Sequence, residues 1–243
     1  ETQRAAFVER RLRALRGTMT GVVAMAWRDG QARLQGGPEG EAIASDGAAF
    51  ELARAHPDPT RWLSAAPRRA APGVWLLDFA LPLVDAQGRF VGALLVSLDR
   101  SYFEDMLSAV LYADDMRALV LHGAGRVAVG LPRTAELEGR DTRQAGAPLS
   151  RHLASGREAS VQSAMSPVRP VPVLAALHTL RREGLDMEPP LVLAVSRSVD
   201  EVLAPWRRQT AWTVGVFLFG TAVALLALLA VQRRRADEVA DAE

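Results

Sequence analysis

An uncharged apolar run near the end of the chain constrains the fold more than any other feature. Residues 211–231 (AWTVGVFLFGTAVALLALLAV) contain no charged side chain. A bilayer core of about 30 Å needs roughly 20 apolar helical residues, and only a helix satisfies its own backbone hydrogen bonds in hydrocarbon at this length. The run therefore predicts a single transmembrane helix. The alternative is a wholly buried core helix, although such helices are usually shorter.

Arginines flank this run on both sides and indicate its orientation. Arg207 and Arg208 precede the run, and three arginines at 233–235 follow it. Because cytoplasmic flanks carry an excess of basic residues, we expect the C-terminal end of the helix to face the cytoplasm. Residues 1–208 would then lie outside the cytoplasm and residues 232–243 inside it.

Composition narrows the function of the residues before the helix, which suffice for one large domain or two small ones. The formal net charge of +1 argues against a nucleic-acid partner, and the absence of cysteine excludes disulfides and thiolate metal sites. We also expect no cofactor and no metal. The chain opens on Glu1 without a secretory leader, so we expect a signal segment or a first transmembrane helix upstream.

A helical start and a first strand-rich module make up the first hundred residues. Residues 1–16 have helical spacing that ends at Gly17, which predicts the end of a long N-terminal helix. Asp29 and Gly30 lie between two apolar runs and predict a two-residue hairpin turn. The first module, residues 17–100, has further predicted elements: a short helix at 47–55 and strands at 73–84 and 89–98.

A predicted linker helix at 101–115 leads into a second module. Ser101 and Glu104 have the spacing of a capping box at its start. The second module, residues 116–198, has predicted strands at 116–121, 126–131, 172–180 and 191–196 and a short helix at 148–154. Another capping box, Ser198 to Glu201, begins a predicted helix over 199–231 with a kink at Pro205. Residues 232–243 then begin a cytoplasmic linker.

An internal repeat relates the two modules. Three pairs of matching positions are separated by 95, 96 and 97 residues: Gly30 and Gly125, Gly88 and Gly184, and Ser101 and Ser198. Ordered matches at nearly one offset indicate that one supersecondary unit is used twice.

The repeat and its local motifs resemble the double Cache sensor domain, the extracytoplasmic tandem PAS-like module of bacterial receptors. The nearest local matches are 73–75 (GVW), 85–99 (DAQGRFVGALLVSLD) and 101–103 (SYF). The resemblance covers residues 1–208. It implies an α+β fold with two tandem PAS-like antiparallel-sheet modules packed on a long N-terminal helix and followed by one transmembrane helix. It also implies a small-molecule pocket in the first, membrane-distal module, and a homodimer formed through the N-terminal helices.

The resemblance does not extend to an amino-acid ligand. In members that bind amino acids, a Tyr and an Arg-x-Trp element hold the ligand carboxylate, and a later Asp meets its amine. Here Arg61 and Trp62 are adjacent, no Tyr is nearby, and Asp99 stands at the end of the matching strand. The amino-acid signature is therefore not met.

Three arginines before Trp75 are candidates for holding an anionic ligand. Arg61, Arg68 and Arg69 lie in a segment that reads as irregular. Because a guanidinium presents a planar fork of donors that matches a carboxylate, we expect an anionic or carboxylate-bearing small molecule, with Arg61 the leading candidate. The alternative is that these loop arginines are simply solvated.

Two tryptophans and two aspartates complete the candidate ligand-binding set of Arg61, Trp62, Trp75, Asp78 and Asp99. The tryptophans either wall the pocket or belong to the core. Asp78 interrupts an apolar strand, so it points either into a pocket or toward water. Asp99 either contacts ligand or caps the linker helix at its positive N-terminus.

Other motifs that carry chemistry fail on context. The segment 123–128 (GAGRVA) matches the letters of a dinucleotide fingerprint, but such a site needs a helix to begin there. Here a short strand pattern follows and ends at Pro132. The four histidines are scattered, and no nucleophile elbow or phosphate-binding loop is present. The sequence therefore predicts no catalytic site in this segment.

The function predicted from these features is the sensor region of a transmembrane receptor. Its cytoplasmic output domain would be a diguanylate cyclase or a histidine kinase, as the resemblance implies. Two alternatives remain open at this point: a ligand-free dimerisation scaffold, and a membrane-anchored hydrolase whose catalytic groups meet only in space.

Overall fold

The described residues fall into two units, 1–198 and 199–243. The computed structural model describes residues 10–12, 14–37, 47–71, 74–134, 137, 139–144, 146–166, 171–181 and 186–240. Residues 10–12 and 14–18 are helical (α1). They belong to the predicted N-terminal helix, of which residues 1–9 lie outside the described part of the chain.

The first module is built around a sheet that the sequence patterns largely predict. Its elements are β1 (Val22–Asp29), β2 (Leu34–Gly36), α2 (Ala48–Ala55), β3 (Arg61–Ser64), β4 (Arg68–Ala71), β5 (Val74–Val84), β6 (Phe90–Asp99) and α3 (Arg100–Ser108). The strand order is β2-β1-β6-β5-β3, with β4 also pairing with β5. All of these pairings are antiparallel.

The second module repeats this arrangement. Its elements are β7 (Arg117–His122), β8 (Val127–Leu131), α4 (Pro148–Ser155), β9 (Ala159–Met165), β10 (Pro172–Thr179), β11 (Asp186–Glu188) and β12 (Leu191–Ser198). The sheet order is β8-β7-β12-β10-β9. Read from the hairpin edge, this is the same order of strands as in the first module, so the predicted repeat of one unit is confirmed. Gly184, the predicted partner of Gly88, lies outside the described residues.

A helix covers the outer face of each sheet. In the first module, Phe50 and Ala53 of α2 pack against Leu63, Ala80 and Leu95 of the sheet. In the second, Leu149 of α4 packs with sheet residues of β7, β10 and β12, which are Leu119, Leu121, Ala175, Leu177, Val192 and Ala194. Each outer core is therefore private to its module.

A third core joins the two modules through their inner faces. Leu77 and Phe79 of β5 lie in one cluster with Phe103 and Leu107 of α3 and with residues of the second sheet, Ala118, Val120, Ala128, Val129 and Leu191. Because strand residues alternate between faces, odd-numbered residues of β5 face this shared core, and even-numbered ones such as Asp78 face α2. Burial of this surface ties the two modules into one unit.

The second module also donates a strand to the first sheet. Strand β11 pairs in parallel with β3 at the sheet edge, with Met187 opposite Trp62. Arg61 of β3 forms an ion pair with Glu188 of β11 at 2.6 Å. Such pairing covers an otherwise open sheet edge.

The apolar run lies in helix α5 (Val199–Ala240), which includes Pro205. The stretch Val199–Val231 is long and apolar enough to span a membrane, with a mean hydropathy of 2.6 in its most apolar window. None of that window is buried against other residues, so the alternative of a buried core helix is wrong.

The hairpin prediction is correct in place but wrong in turn type. The backbone N–H of Asp29 donates to the Arg33 carbonyl at 3.0 Å, which leaves a three-residue loop in place of a two-residue turn. Ala32 takes the left-handed conformation, with φ of 63°. Gly88 and Gly125 hold the same place in the equivalent loops before Arg89 and Arg126. The true partner of Gly125 in the repeat is therefore Ala32.

The linker helix also differs from its prediction. It begins at Arg100 and ends at Ser108, not at residue 115, and its N-cap is Asp99. The Asp99 carboxylate accepts a hydrogen bond from the Ser101 backbone N–H at 3.0 Å, so Ser101 is not the cap. Strands β3, β4, β9 and β11 were not predicted, because they are short or lack a continuous apolar pattern.

Candidate ligand-binding site

A polar cleft lies between the outer face of the first sheet and α2. Arg28, Asp78 and Ser97 line it from three adjacent strands, and Phe50 lines it from α2. The cleft holds about 280 Å³ of space between atoms, part of it open to solvent. Asp78 and Ser97 lie directly opposite each other in the β5–β6 register, which places both side chains on the α2 face.

Asp78 is the centre of a hydrogen-bonded charge cluster in this cleft. Its carboxylate accepts hydrogen bonds from the Ser97 hydroxyl and from Nε of Arg68. The side chains of Arg68 and Asp78 are each 13% exposed, so this ion pair is largely desolvated. With Arg28 on the cleft wall, two guanidinium groups and one carboxylate stand around the described part of the cleft.

Arg61 and Trp62 lie outside this cleft, at the junction of the modules. The Arg61 guanidinium is paired with Glu188 at 2.6 Å and with Asp58 at 3.4 Å. The hydrogen bond to Glu188, and then the charges of Glu188 and Asp58, raise the pKa of Arg61. Trp62 packs against the shared core. These two members of the candidate ligand-binding set therefore help to join the modules in this structure.

Trp75, Asp99 and Arg69 are also placed away from the cleft. A Cβ added to Gly139 would meet the Trp75 ring at 2.7 Å, so the ring lies against a loop of the second module. Asp99 caps α3, so of the two roles that the sequence allowed, ligand contact and helix capping, the structure shows the second. Arg69 is exposed on β4. The segment holding Arg61, Arg68 and Arg69 is thus not irregular, because it forms β3 and β4.

Of the five candidates, then, only Asp78 lines the described cleft, and Arg68 reaches it through Asp78. Sequence reasoning missed Arg28, Ser97 and Phe50. The rule that singled out Asp78, a polar residue that interrupts an apolar strand, also fits Ser97 within 94–98 (LLVSL). Arg28 gave no comparable signal, because an arginine beside a hairpin turn is ordinarily solvated.

A second and larger cleft lies at the equivalent place in the second module. It holds about 510 Å³ of space between atoms, again partly open to solvent, and runs between the outer sheet face and α4. Leu119, Leu177 and Leu149 line it, and Arg117 and Ser196 lie at one end of its floor. Its surface is mainly apolar, in contrast to the charge cluster of the first cleft.

A buried Ser–His contact at the module junction does not form a hydrolase site. Ser64 Oγ lies 3.0 Å from His122 Nε2 and donates its proton to the Pro189 carbonyl at 2.6 Å. Since the Ala124 backbone N–H donates to His122 Nδ1 at 3.2 Å, Nε2 carries the imidazole proton and donates it. Burial lowers the pKa of His122. Because Nε2 is a donor here, His122 is not oriented as a base for Ser64.

The glycine-rich segment 123–128 does not form a dinucleotide site. Residues 122–126 form a hairpin turn, with the Gly125 N–H donating to the His122 carbonyl at 2.7 Å, and β8 follows. No helix begins after the glycines, so the dinucleotide fingerprint is accidental. Within the described ranges, no three His, Asp or Glu side chains are grouped to hold a metal ion.

The fold is similar to that of solved bacterial sensor domains. The extracellular domain of rpHK1S-Z16, a protein described as a histidine kinase, is 23% identical, with a TM-score of 0.63 over 84% of this chain and 86% of that chain. The corresponding domain of mmHK1S-Z3, described in the same way, is 14% identical, with a TM-score of 0.61 over 86% and 84%.

A third similar structure contains a ligand. It is the ligand-binding domain of the amino acid chemoreceptor PctB of Pseudomonas aeruginosa PAO1, in complex with L-arginine. It is 12% identical, with a TM-score of 0.52 over 85% of this chain and 83% of that chain. No protein-family model matches the sequence, and no curated protein sequence matches it. The fold is therefore the double Cache architecture that the sequence motifs predicted.

Proposed function

We propose that this chain is the extracytoplasmic small-molecule sensor region of a transmembrane signalling receptor in a bacterial inner membrane. The carrying observation is the polar cleft of Arg28, Asp78 and Ser97 in the first module of a double Cache fold. Ligand pockets combine an enclosing surface with a few convergent polar groups, as this cleft does. Convergent polar groups also weigh against a ligand-free dimerisation scaffold.

The charges around the first cleft favour a ligand that carries a carboxylate. Among the described residues at this cleft, Arg28 and Arg68 are positively charged and Asp78 is negatively charged. A guanidinium is the donor best matched to a carboxylate in shape. PctB, which shares the fold, holds L-arginine, and this supports a small charged organic molecule as the class of ligand.

Strand β12 connects the sensor to the apolar helix, because Ser198 ends the strand and Val199 begins α5. The end of β12 is held by Arg197, which donates to the Asp115 carboxylate at 2.8 Å and 3.1 Å and lies over the Tyr112 ring at 5.5 Å. The hydrogen bonds from Arg197, and then its positive charge, lower the pKa of Asp115. A ligand that prefers one of two arrangements of this strand would shift their populations, and the change would pass into the membrane helix.

The output domain we propose is a histidine kinase, with a diguanylate cyclase as the second candidate. Both rpHK1S-Z16 and mmHK1S-Z3 are described as histidine kinases, which supports the first choice. Residues 1–208 would lie in the periplasm, and homodimerisation through the N-terminal helices would place two membrane helices side by side. Movement of those helices would then control the output.

A thermal-shift screen of the whole 243-residue chain in lipid nanodiscs tests the sensor function. The panel contains organic acids, amino acids, amines and nucleobases. A ligand at about 100 times its dissociation constant should stabilise the chain by roughly 2.7 kcal/mol. Arg28→Gln and Asp78→Asn should abolish the shift, and Arg54→Gln is the matched control, because Arg54 is an exposed arginine of α2.

The outcome separates a sensor from the alternatives. Stabilisation by one class of compound that is lost in both cleft variants and kept in Arg54→Gln supports the proposal. If no class stabilises the chain, the scaffold becomes the better explanation. A disulfide cross-linking rate between Gln209→Cys chains that does not change with a bound ligand would argue against transmission to the membrane helix.

A further inference from the structure

A buried histidine of the second module joins α4 to the sheet. His152 of α4 is fully buried, and both nitrogens of its imidazole contact hydroxyl groups. Nδ1 lies 2.7 Å from Ser160 Oγ of β9, and Nε2 lies 2.9 Å from Thr179 Oγ1 of β10. A neutral imidazole donates at one nitrogen and accepts at the other. One of the two hydroxyls therefore donates its proton to His152, and the other accepts one.

Protonation of His152 is incompatible with this arrangement. An imidazolium donates at both nitrogens, so the hydroxyl that donated to His152 needs another acceptor. Gln162 Oε1 is buried and has no hydrogen-bond partner among the described residues, while Nε2 of the same amide donates to Ser160 Oγ at 3.0 Å. A turn of the amide would offer Oε1 to Ser160, but it would withdraw Nε2 from the Pro148 carbonyl, 3.3 Å away at the start of α4. Protonation therefore weakens the attachment of α4 to the sheet.

No carboxylate on the strands beneath α4 compensates a positive charge on His152. The helix packs on β9 and β10, whose one ionisable residue is His178. Glu158, before β9, is 59% exposed and lies 3.8 Å from His178. Arg151, the other ionisable residue of α4, is exposed and donates to the Ser163 carbonyl. Burial, and then the charge of His178, lower the pKa of His152, so a proton binds more tightly once α4 has separated from the sheet.

We propose that His152 makes the second module a sensor of acid, with the proton as its ligand. At neutral pH, uncharged His152 holds α4 on β9 and β10. In acid, its protonated form favours a second state in which α4 has separated from these strands and water surrounds the imidazolium. Two states that differ in proton affinity are shifted by pH as by any other ligand. The first module has no equivalent site, because its histidine, His56, is exposed.

The strands beneath α4 connect this site to the membrane helix. Thr179 lies on β10, which is the neighbour of β12 in the sheet, and is opposite Val192 of β12. Strand β12 ends at Ser198, and α5 begins at the next residue. Separation of α4 removes packing from β10 and so changes the support of β12. This last step rests on the proposed sensor function, whereas the opening of α4 does not.

Amide hydrogen exchange of the whole chain in lipid nanodiscs tests the opening of α4 between pH 7.5 and 5.5. After correction for intrinsic exchange rates, exchange in α4 should rise about tenfold, because the open state gains about tenfold per pH unit below the open-state pKa near 6.5. His152→Gln should abolish the rise, since glutamine still forms hydrogen bonds but does not titrate. His56→Gln is the matched control and should keep it. His178→Gln should move the rise to higher pH, because it removes a like charge.

Two further measurements follow the proton and its effect on α5. The carbon-13 resonances of the imidazoles in the wild-type chain report protonation of His152 directly, without relying on a folded variant. His152 should titrate below about 6.5 and together with the exchange of α4. Disulfide cross-linking between Gln209→Cys chains, with and without His152→Gln, follows the membrane helix. Because both chains are compared at the same pH, the pH dependence of thiol chemistry cancels, and the two rates should diverge in acid.

Four outcomes would overturn the acid sensor. They are α4 exchange that does not rise in acid, a rise that persists in His152→Gln, a His152 that stays neutral while α4 opens, and cross-linking rates that stay equal in acid with and without His152→Gln. Each leaves the proposed small-molecule sensor intact if a compound bound at the first cleft still changes the cross-linking rate. Conversely, an acid response that depends on His152 would support this inference even if no compound bound the first cleft.

Discussion

The two modules share one strand order but differ in the residues at the floor of their clefts. Ser97 of the first sheet and Ser196 of the second hold the same place in the strand register. Ser97 lies opposite Asp78, whereas Ser196 lies opposite Ala175. The position that carries the carboxylate of the first cleft is thus a methyl group in the second.

The cation also changes position between the modules. Ser97 faces Ala24 on β1, while Ser196 faces Arg117 on β7. Four residues further along each strand, Arg28 corresponds to Leu121 by the same register. One unit used twice therefore keeps its core and exchanges a few floor residues, and those few decide what each cleft can bind.

The largest loss of stability should come from a substitution in the core that the two modules share. Leu77 is 1% exposed in that core, and truncation of a buried leucine costs about 2–5 kcal/mol. We expect Leu77→Ala to speed amide hydrogen exchange in both modules, because both lose packing. Leu149→Ala is the control, since Leu149 is 2% exposed in the private core of the second module, and its effect should stay there.

Exchange that rises only in the first module of Leu77→Ala would show that the shared core does not couple the modules. If Leu77→Ala and Leu149→Ala speed hydrogen exchange equally in both modules, each outer core stabilises both modules and not only its own. Either pattern would break the division into two outer cores and one inner core.

Replacing the carboxylate of the first cleft with the methyl group found in the second should lower stability nearly as much as Leu77→Ala does. Asp78→Ala copies the residue found at Ala175 and removes the carboxylate that pairs with Arg68. Loss of one partner of a largely buried ion pair costs about 3 kcal/mol. The double variant Asp78→Ala with Arg68→Met should recover most of this loss, as measured by thermal unfolding. No recovery in the double variant would mean that the ion pair is not the source of the cost.

These differences explain which parts of the structure the sequence could predict. The long strands and the hairpins follow from local apolar patterns and turns, and their order follows from the repeat. The parallel pairing of β11 with β3 joins residues more than a hundred positions apart, and no local pattern encodes it. Arg61 therefore looked like a loop arginine available to a ligand, whereas Glu188 pairs with it across the junction. Ala32 shows a second limit, because a non-glycine residue holds the left-handed turn position.

Acidification should weaken the second module and the junction more than the first module. His122 and His152 are buried, and burial lowers the pKa of each, with the nearby His178 adding to the effect on His152. The unfolded chain, with histidine pKa values near 6.5, then binds more protons than the folded chain. Stability should fall as the pH drops from above 6.5 through the folded pKa values, by about 1.4 kcal/mol for each unit of depression.

The measurement is thermal unfolding from pH 7.5 to 5.5 in the wild-type chain and in His122→Gln and His152→Gln. Each variant should flatten the pH dependence. In the first module, His56 is exposed, so hydrogen exchange there should respond less to acid. An acid-induced loss of stability that persists undiminished in both variants would assign the titration to other groups.

The smallest loss of stability should come from substitution of Arg61. Its result decides whether Arg61 joins the two modules or binds ligand. The Arg61 and Glu188 side chains are 51% and 59% exposed, and exposed ion pairs contribute about 0.2–1 kcal/mol. We expect Arg61→Gln to lower thermal stability by no more than this, less at high salt, and to leave ligand-induced stabilisation unchanged. Glu188→Gln should reproduce the loss, because the two residues form one contact between the modules. Complete loss of the ligand response in Arg61→Gln, with Glu188→Gln unaffected, would return Arg61 to the ligand-binding set and would move the ligand from the cleft of α2 toward the module junction.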